Sequence, residues 1–73
     1  MNEKALALSE KAFLVYESLV NNANPKDRYA SYYGNIIHSS DERSSIISEL
    51  LRLGLIRDPD LYGHTCFSCY LCD

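Results

Sequence analysis

An excess of positive charge is missing from this chain: 7 Lys and Arg stand against 10 Asp and Glu, for a net charge of −3. A protein that holds DNA by itself ordinarily carries a basic stripe, because neutralised phosphates and released counterions supply much of the affinity. Long apolar runs are missing as well. None approaches the ~20 residues that span a bilayer, and Met1 to Ser9 has neither the basic nor the apolar region of a signal peptide. A soluble, cytoplasmic chain is therefore expected. There is no Gly-rich phosphate loop, the two histidines are His38 and His64, and no catalytic constellation stands out, so an enzyme is not expected. The 3 cysteines, an odd number crowded at the C-terminal end, make a poor disulfide framework and are expected as reduced thiols. No internal repeat or low-complexity segment is present.

At 73 residues the chain can bury only about 60% of its unfolded surface, enough for one small core. Its 47% hydrophobic and 23% charged residues belong to the globular range. The acidity is local. Residues 1 to 24 carry −1 and residues 25 to 57 carry +1, so the remaining −3 belongs to Asp58, Asp60 and Asp73.

Ser39 to Ile56, SSDERSSIISELLRLGLI, is the most informative stretch. Ser39 and Glu42 have capping-box spacing, Ser40 is an equally good cap one residue later, and Asp41 and Glu42 suit the positive end of a helix dipole. Ile46, Leu50 and Leu53, flanked by Ile47 and Leu51, recur at helical spacing and predict one apolar face. Gly54 suits the left-handed position past the helix end, and Leu55 and Ile56 favour an extended chain after it.

Ser9 to Asn22 predicts another helix, with Ala12, Val15, Tyr16 and Leu19 on one face, ended by Asn21, Asn22, Asn24 and Pro25. Asn2 to Leu8 either prolongs it or forms a short arm. Arg28 to Ile37 reads as a short helix with Tyr29, Tyr33 and Ile37 on a shared face, ended or broken at Gly34. Leu55 to Arg57 reads as a strand, Asp58-Pro59-Asp60 as a turn, and Thr65 to Leu71 as a second strand. The expected fold is mainly α with a small C-terminal β-hairpin in one domain: residues 1–8 an arm, 9–57 a helical core, 58–73 hairpin and tail.

This order of helices and hairpin resembles the winged helix-turn-helix domains of small bacterial, archaeal and phage regulators over roughly residues 9 to 71. ISELLRLGLI, residues 47 to 56, looks like the end of that family's recognition helix, and Ala30 to Gly34 match its Ala-x-x-x-Gly spacing. Between Gly34 and Ile46 the chain is several residues longer than the compact motif. The resemblance implies that the N-terminal part of the third helix enters the major groove, with Arg43, Ser45, Ser48 and Arg52 reading bases. Asp41 and Glu42 oppose this, since only cytosine offers a carboxylate a donor. A bland reading is a solvated helix face with Glu49 and Arg52 paired.

Six tyrosines in so short a chain favour a binding surface, because tyrosine joins rigid apolar area to a polar tip. Helical spacing would partly bury Tyr16, Tyr29 and Tyr33 and push Tyr32 to solvent. His64-x-Cys66-x-x-Cys69-x-x-Cys72 has four potential zinc ligands, but on a strand Cys66 and Cys69 point to opposite faces, and packing or free thiols are the simpler expectation.

The expected function is that of a small transcription regulator acting by protein contact through Arg43, Arg52, Arg57 and Tyr32, without a cofactor. Length and layout are similar to those of small phage-encoded regulators that bind host RNA polymerase to alter initiation or termination, which implies RNA polymerase as partner. The alternatives are a dimeric winged-helix DNA-binding repressor and a zinc-stabilised interaction module.

Overall fold

The structure, a computed structural model, describes residues 3–72; the outermost residues of the expected arm and tail lie outside them. A 3-10 helix, Glu3–Ala7, precedes α1 (Glu10–Asn22), β1 (Tyr29–Tyr32), α2 (Ser40–Arg52), β2 (Ile56–Tyr62) and β3 (Cys66–Leu71). The three strands form one antiparallel sheet in the order β1-β3-β2. The fold is a small α+β domain, which corrects the mainly α, helix-turn-helix expectation.

The correction lies in Arg28 to Ile37. Asn24 organises the preceding turn, its carbonyl accepting from Arg28 N–H and its side chain from Lys26 N–H. Arg28 takes a left-handed φ of 65°, and the chain leaves it extended. Tyr29–Tyr32 then alternates: Ala30 and Tyr32 are buried, while Tyr29 faces solvent. A helix would have buried Tyr29 with Tyr33; the period-two solution buries Tyr32 and leaves Tyr33 70% exposed. Residues 33–39 form a loop folded over the Tyr32 hydroxyl, which accepts from Ile36 N–H at 2.8 Å. A Cβ at Gly34 would lie 2.5 Å from that hydroxyl, so glycine serves close approach here.

The helix over residues 40–52 forms as its sequence directs. Ser39 Oγ accepts from Glu42 N–H at 3.1 Å, and Glu42 reaches back to His38 N–H at 2.9 Å, one residue beyond the usual capping-box partner. Its buried face is Arg43, Ile46, Ile47 and Leu50. Gly54, with φ 69°, turns the chain into β2.

Asp58-Pro59-Asp60 is not the hairpin turn. β2 runs through it, and the register moves from Arg57↔Tyr70 to Asp60↔Ser68, so one extra residue bulges from β2. Asp58 adopts a left-handed φ of 52° there. The reversal comes at residues 63–65, where Gly63 has φ 63°.

Ala12, Val15, Tyr16 and Leu19 of α1 and Ile46, Ile47 and Leu50 of α2 share one core with Ala30, Tyr32, Ile56, Phe67, Cys69 and Leu71 of the sheet. Ser9 N–H and Oγ both donate to the Glu49 carboxylate, at 2.9 and 2.8 Å, which takes the place of the Glu49–Arg52 pair of the solvated-face reading and ties the start of α1 to α2. Lys11 and Glu42 add an exposed ion pair at 2.8 Å. No described helix is long and apolar enough to cross a membrane.

Candidate functional site: the outer face of the sheet

The inward residues of the strands join the helices, and the alternate residues form the other face. Its first row is Tyr29, Tyr70 and Arg57, neighbours across all three strands. Tyr29 meets Tyr70 edge to face at 5.1 Å between centroids, and the Arg57 guanidinium lies 4.5 Å over the Tyr70 ring. Arg57 also pairs with Asp58 at 2.8 Å. The second row is Ser31, Ser68 and Asp60. Beyond it, Tyr33 and Tyr62 lie with ring centroids 5.8 Å apart.

A chain of hydroxyls runs through this face. Ser31 Oγ is 2.8 Å from Ser68 Oγ, Ser68 Oγ is 2.6 Å from the Tyr62 hydroxyl, and Tyr62 donates to Tyr33 at 2.9 Å. Ser68 is thereby buried with a satisfied hydroxyl. Tyr62 is the first of this hydrogen-bonded pair to ionise and its oxygen then needs the Tyr33 proton, which raises the pKa of the Tyr33 phenol, with some desolvation adding to it. For Tyr62, burial acts upward, but its bonds to Ser68, Tyr33 and Ser31 outweigh it and the pKa is lowered. The phenols are held in place while the outer edges of their rings remain open: Tyr29 is 40% and Tyr33 70% exposed.

Both free edges of the sheet are closed to strand addition. On β1, Asn22 Oδ1 accepts from Ser31 N–H at 3.3 Å and its Nδ2 donates to Ser31 C=O at 3.0 Å, mimicking a neighbouring strand. On β2 the bulge, Pro59 and the acids Asp58 and Asp60 interrupt the ladder. The face of this sheet is therefore more open to contact than its edges.

The residues expected at a partner surface divide. Arg52 and Arg57 are exposed, but Tyr32 is 1% and Arg43 7% exposed, and neither is available for contact. Arg43 Nη1 instead donates to the carbonyls of Tyr62, Gly63 and Cys66 at 3.2, 3.2 and 2.9 Å, fastening the hairpin turn to α2. The signal was in the spacing: Arg43 precedes Ile46, Ile47 and Leu50 by three, four and seven residues and so belongs to the buried stripe. Of the expected base-reading set, Ser45, Ser48 and Arg52 lie on the exposed side of α2, with Arg52 as their one cation once Arg43 is withdrawn.

His64, Cys66, Cys69 and Cys72 do not converge: no group of three or more potential metal ligands occurs among the described residues. Cys69 points into the core, and Cys66 and Cys72 are half-buried. Burial pushes the Cys69 thiol up to about 12, with a smaller contribution from Cys72.

No protein-family model matches the chain, and no curated protein or solved structure matches it at a significant level.

Proposed function

We propose that this chain is a small, non-enzymatic regulator that acts by contact with another protein, and that the tyrosine face of its sheet is the contact surface. The observation that carries this reading is the placement of Tyr29, Tyr33, Tyr62 and Tyr70 together on the sheet face opposite the helical core. Tyrosine is enriched at protein interfaces because it offers stiff apolar area and a directional hydroxyl. DNA reading through α2 is disfavoured by the withdrawal of Arg43 and by Asp41 at the exposed helix start.

As partner we propose bacterial RNA polymerase, which would place the chain in the bacterial cytoplasm. That choice rests on the general resemblance of the sequence to small phage-encoded regulators; the strand Tyr29–Tyr32 removes the helix-turn-helix order, and no winged-helix fold supports it. The test is biolayer interferometry of the immobilised full chain against purified core and holoenzyme, with duplex DNA in parallel at ~150 mM salt. Polymerase should bind, and Tyr33→Ala and Tyr29→Ala should each weaken it about tenfold or more, as interface anchors do. Tight, sequence-selective DNA binding by the chain alone would instead favour the repressor reading.

A further inference from the structure

Resting on the protein-contact reading above, we propose that the tyrosine face holds a short, extended, proline-rich segment of the partner, laid along β1, with a basic residue directed sideways towards β2. Tyr29 opens β1 and Tyr33 is the first residue past its end, so the chain between them spans about 13 Å at roughly 3.3 Å per residue. A polyproline II segment rises about 3.1 Å per residue, so four of its residues cover the distance between the two tyrosine rows. Such a segment leaves its carbonyls unbonded and its pyrrolidine rings exposed, and it has little conformational freedom left to lose. Aromatic rings with hydroxyl tips match both features: rings pack on prolines, and the exposed Tyr33 hydroxyl donates to a carbonyl.

Charge selects the side chain that faces β2. The β2 side of the face carries Asp58 and Asp60, and its cation, Arg57, is already engaged by Asp58 and Tyr70. Asp60, exposed in the row between the tyrosines, complements a Lys or Arg placed among the prolines. The same acids repel the phosphates of a single-stranded nucleic acid, the other extended ligand that stacks on aromatic platforms. A second copy is the poorer occupant. The face covers on the order of 250 Å², three strands wide and about five residues long, against about 800 Å² per partner in a stable interface. Entry as an added strand is blocked by Asn22 on one edge and the bulge on the other.

The experiment is titration of the 15N-labelled full chain with an acetylated decapeptide, Pro-Pro-Ala-Pro-Lys-Pro-Pro-Ala-Pro-Pro, followed by amide shifts. The controls are the same peptide with alanine at every proline, the peptide with Glu in place of Lys, and oligo-dT. Saturable shifts confined to Tyr29, Ser31, Tyr33, Asp60, Tyr62 and Tyr70 are expected, weakened about tenfold by Tyr33→Ala and also by Asp60→Lys. Both positions are exposed, so each variant should keep the wild-type circular dichroism. Absence of saturable shifts, equal binding of the alanine control, preferential binding of oligo-dT, or a sedimentation-detected dimer that masks the face would each overturn the inference. If polymerase binds and the tyrosine variants release it while the peptides leave the face unperturbed, this inference falls and the protein-contact reading stands. Peptide binding without polymerase binding has the opposite meaning: the face is right and the polymerase is the wrong partner.

Discussion

Arg43 shows how a charged side chain becomes part of a small core. Its guanidinium donates to three carbonyls at the end of the hairpin, those of Tyr62, Gly63 and Cys66, and its aliphatic stem lies along the buried face of α2. Arg43→Met keeps the stem and removes the donors, leaving part-buried carbonyls unpaired; we expect a loss of about 1–3 kcal/mol, read as a lower urea midpoint at unchanged slope. Cys69 makes a second prediction. Its thiol keeps its proton up to about 12 in the folded state, while an unburied thiol releases it near 9.0. The folded pKa is the raised one, so this contribution to stability is complete below pH 9 and declines as pH rises towards 12, by up to about 1.4 kcal/mol per pH unit. Urea midpoints measured across that window should fall less steeply in Cys69→Ala than in wild type.

Among the elements, α2 was legible because every local signal agrees: cap, acidic first turn, apolar stripe and a glycine past the end. Leu50→Ala should therefore remove about 2–5 kcal/mol, since Leu50 is fully buried where helix and sheet meet; an unchanged thermal midpoint would contradict that placement. β1 was not legible for a physical reason. In Arg28 to Ile37 the aromatic residues satisfy a helical spacing and an alternating one equally well, and pairing with β3, 35 or more residues away in sequence, decides between them. The bulge was hidden similarly: Asp-Pro-Asp is turn chemistry, and only the register with β3 makes it a kink inside a strand. The surplus of tyrosine was visible from composition, but which tyrosines share a face depends on that same register. Tyr32 and Tyr33 exchange places when a helix becomes a strand.

For the whole molecule, two helices on one side of a three-stranded sheet give one core and leave the sheet's other side to side chains alone. Tyrosine and serine suit that position, since they cover the backbone without requiring a further layer. The folding energy of such an arrangement comes from burial and hydrogen bonds, with no contribution assigned to a metal. EDTA should leave the circular dichroism and thermal midpoint unchanged, whereas stoichiometric zinc whose removal unfolds the chain would restore the terminal cysteines as ligands.

Asn22 has one more effect, on solubility at high concentration. A three-stranded sheet with an open edge is a template on which further chains can stack, and the side-chain amide of Asn22 occupies the two backbone positions on β1 where the next chain would begin. Asn22→Ala would return those groups to solvent at the end of α1, where little packing is lost. The variant should fold and remain monomeric when dilute, yet form thioflavin-positive fibres sooner than wild type when concentrated. Asn22 guards the middle of β1, while Asp27 and Asn24 hold the outward groups of Tyr29 at its start.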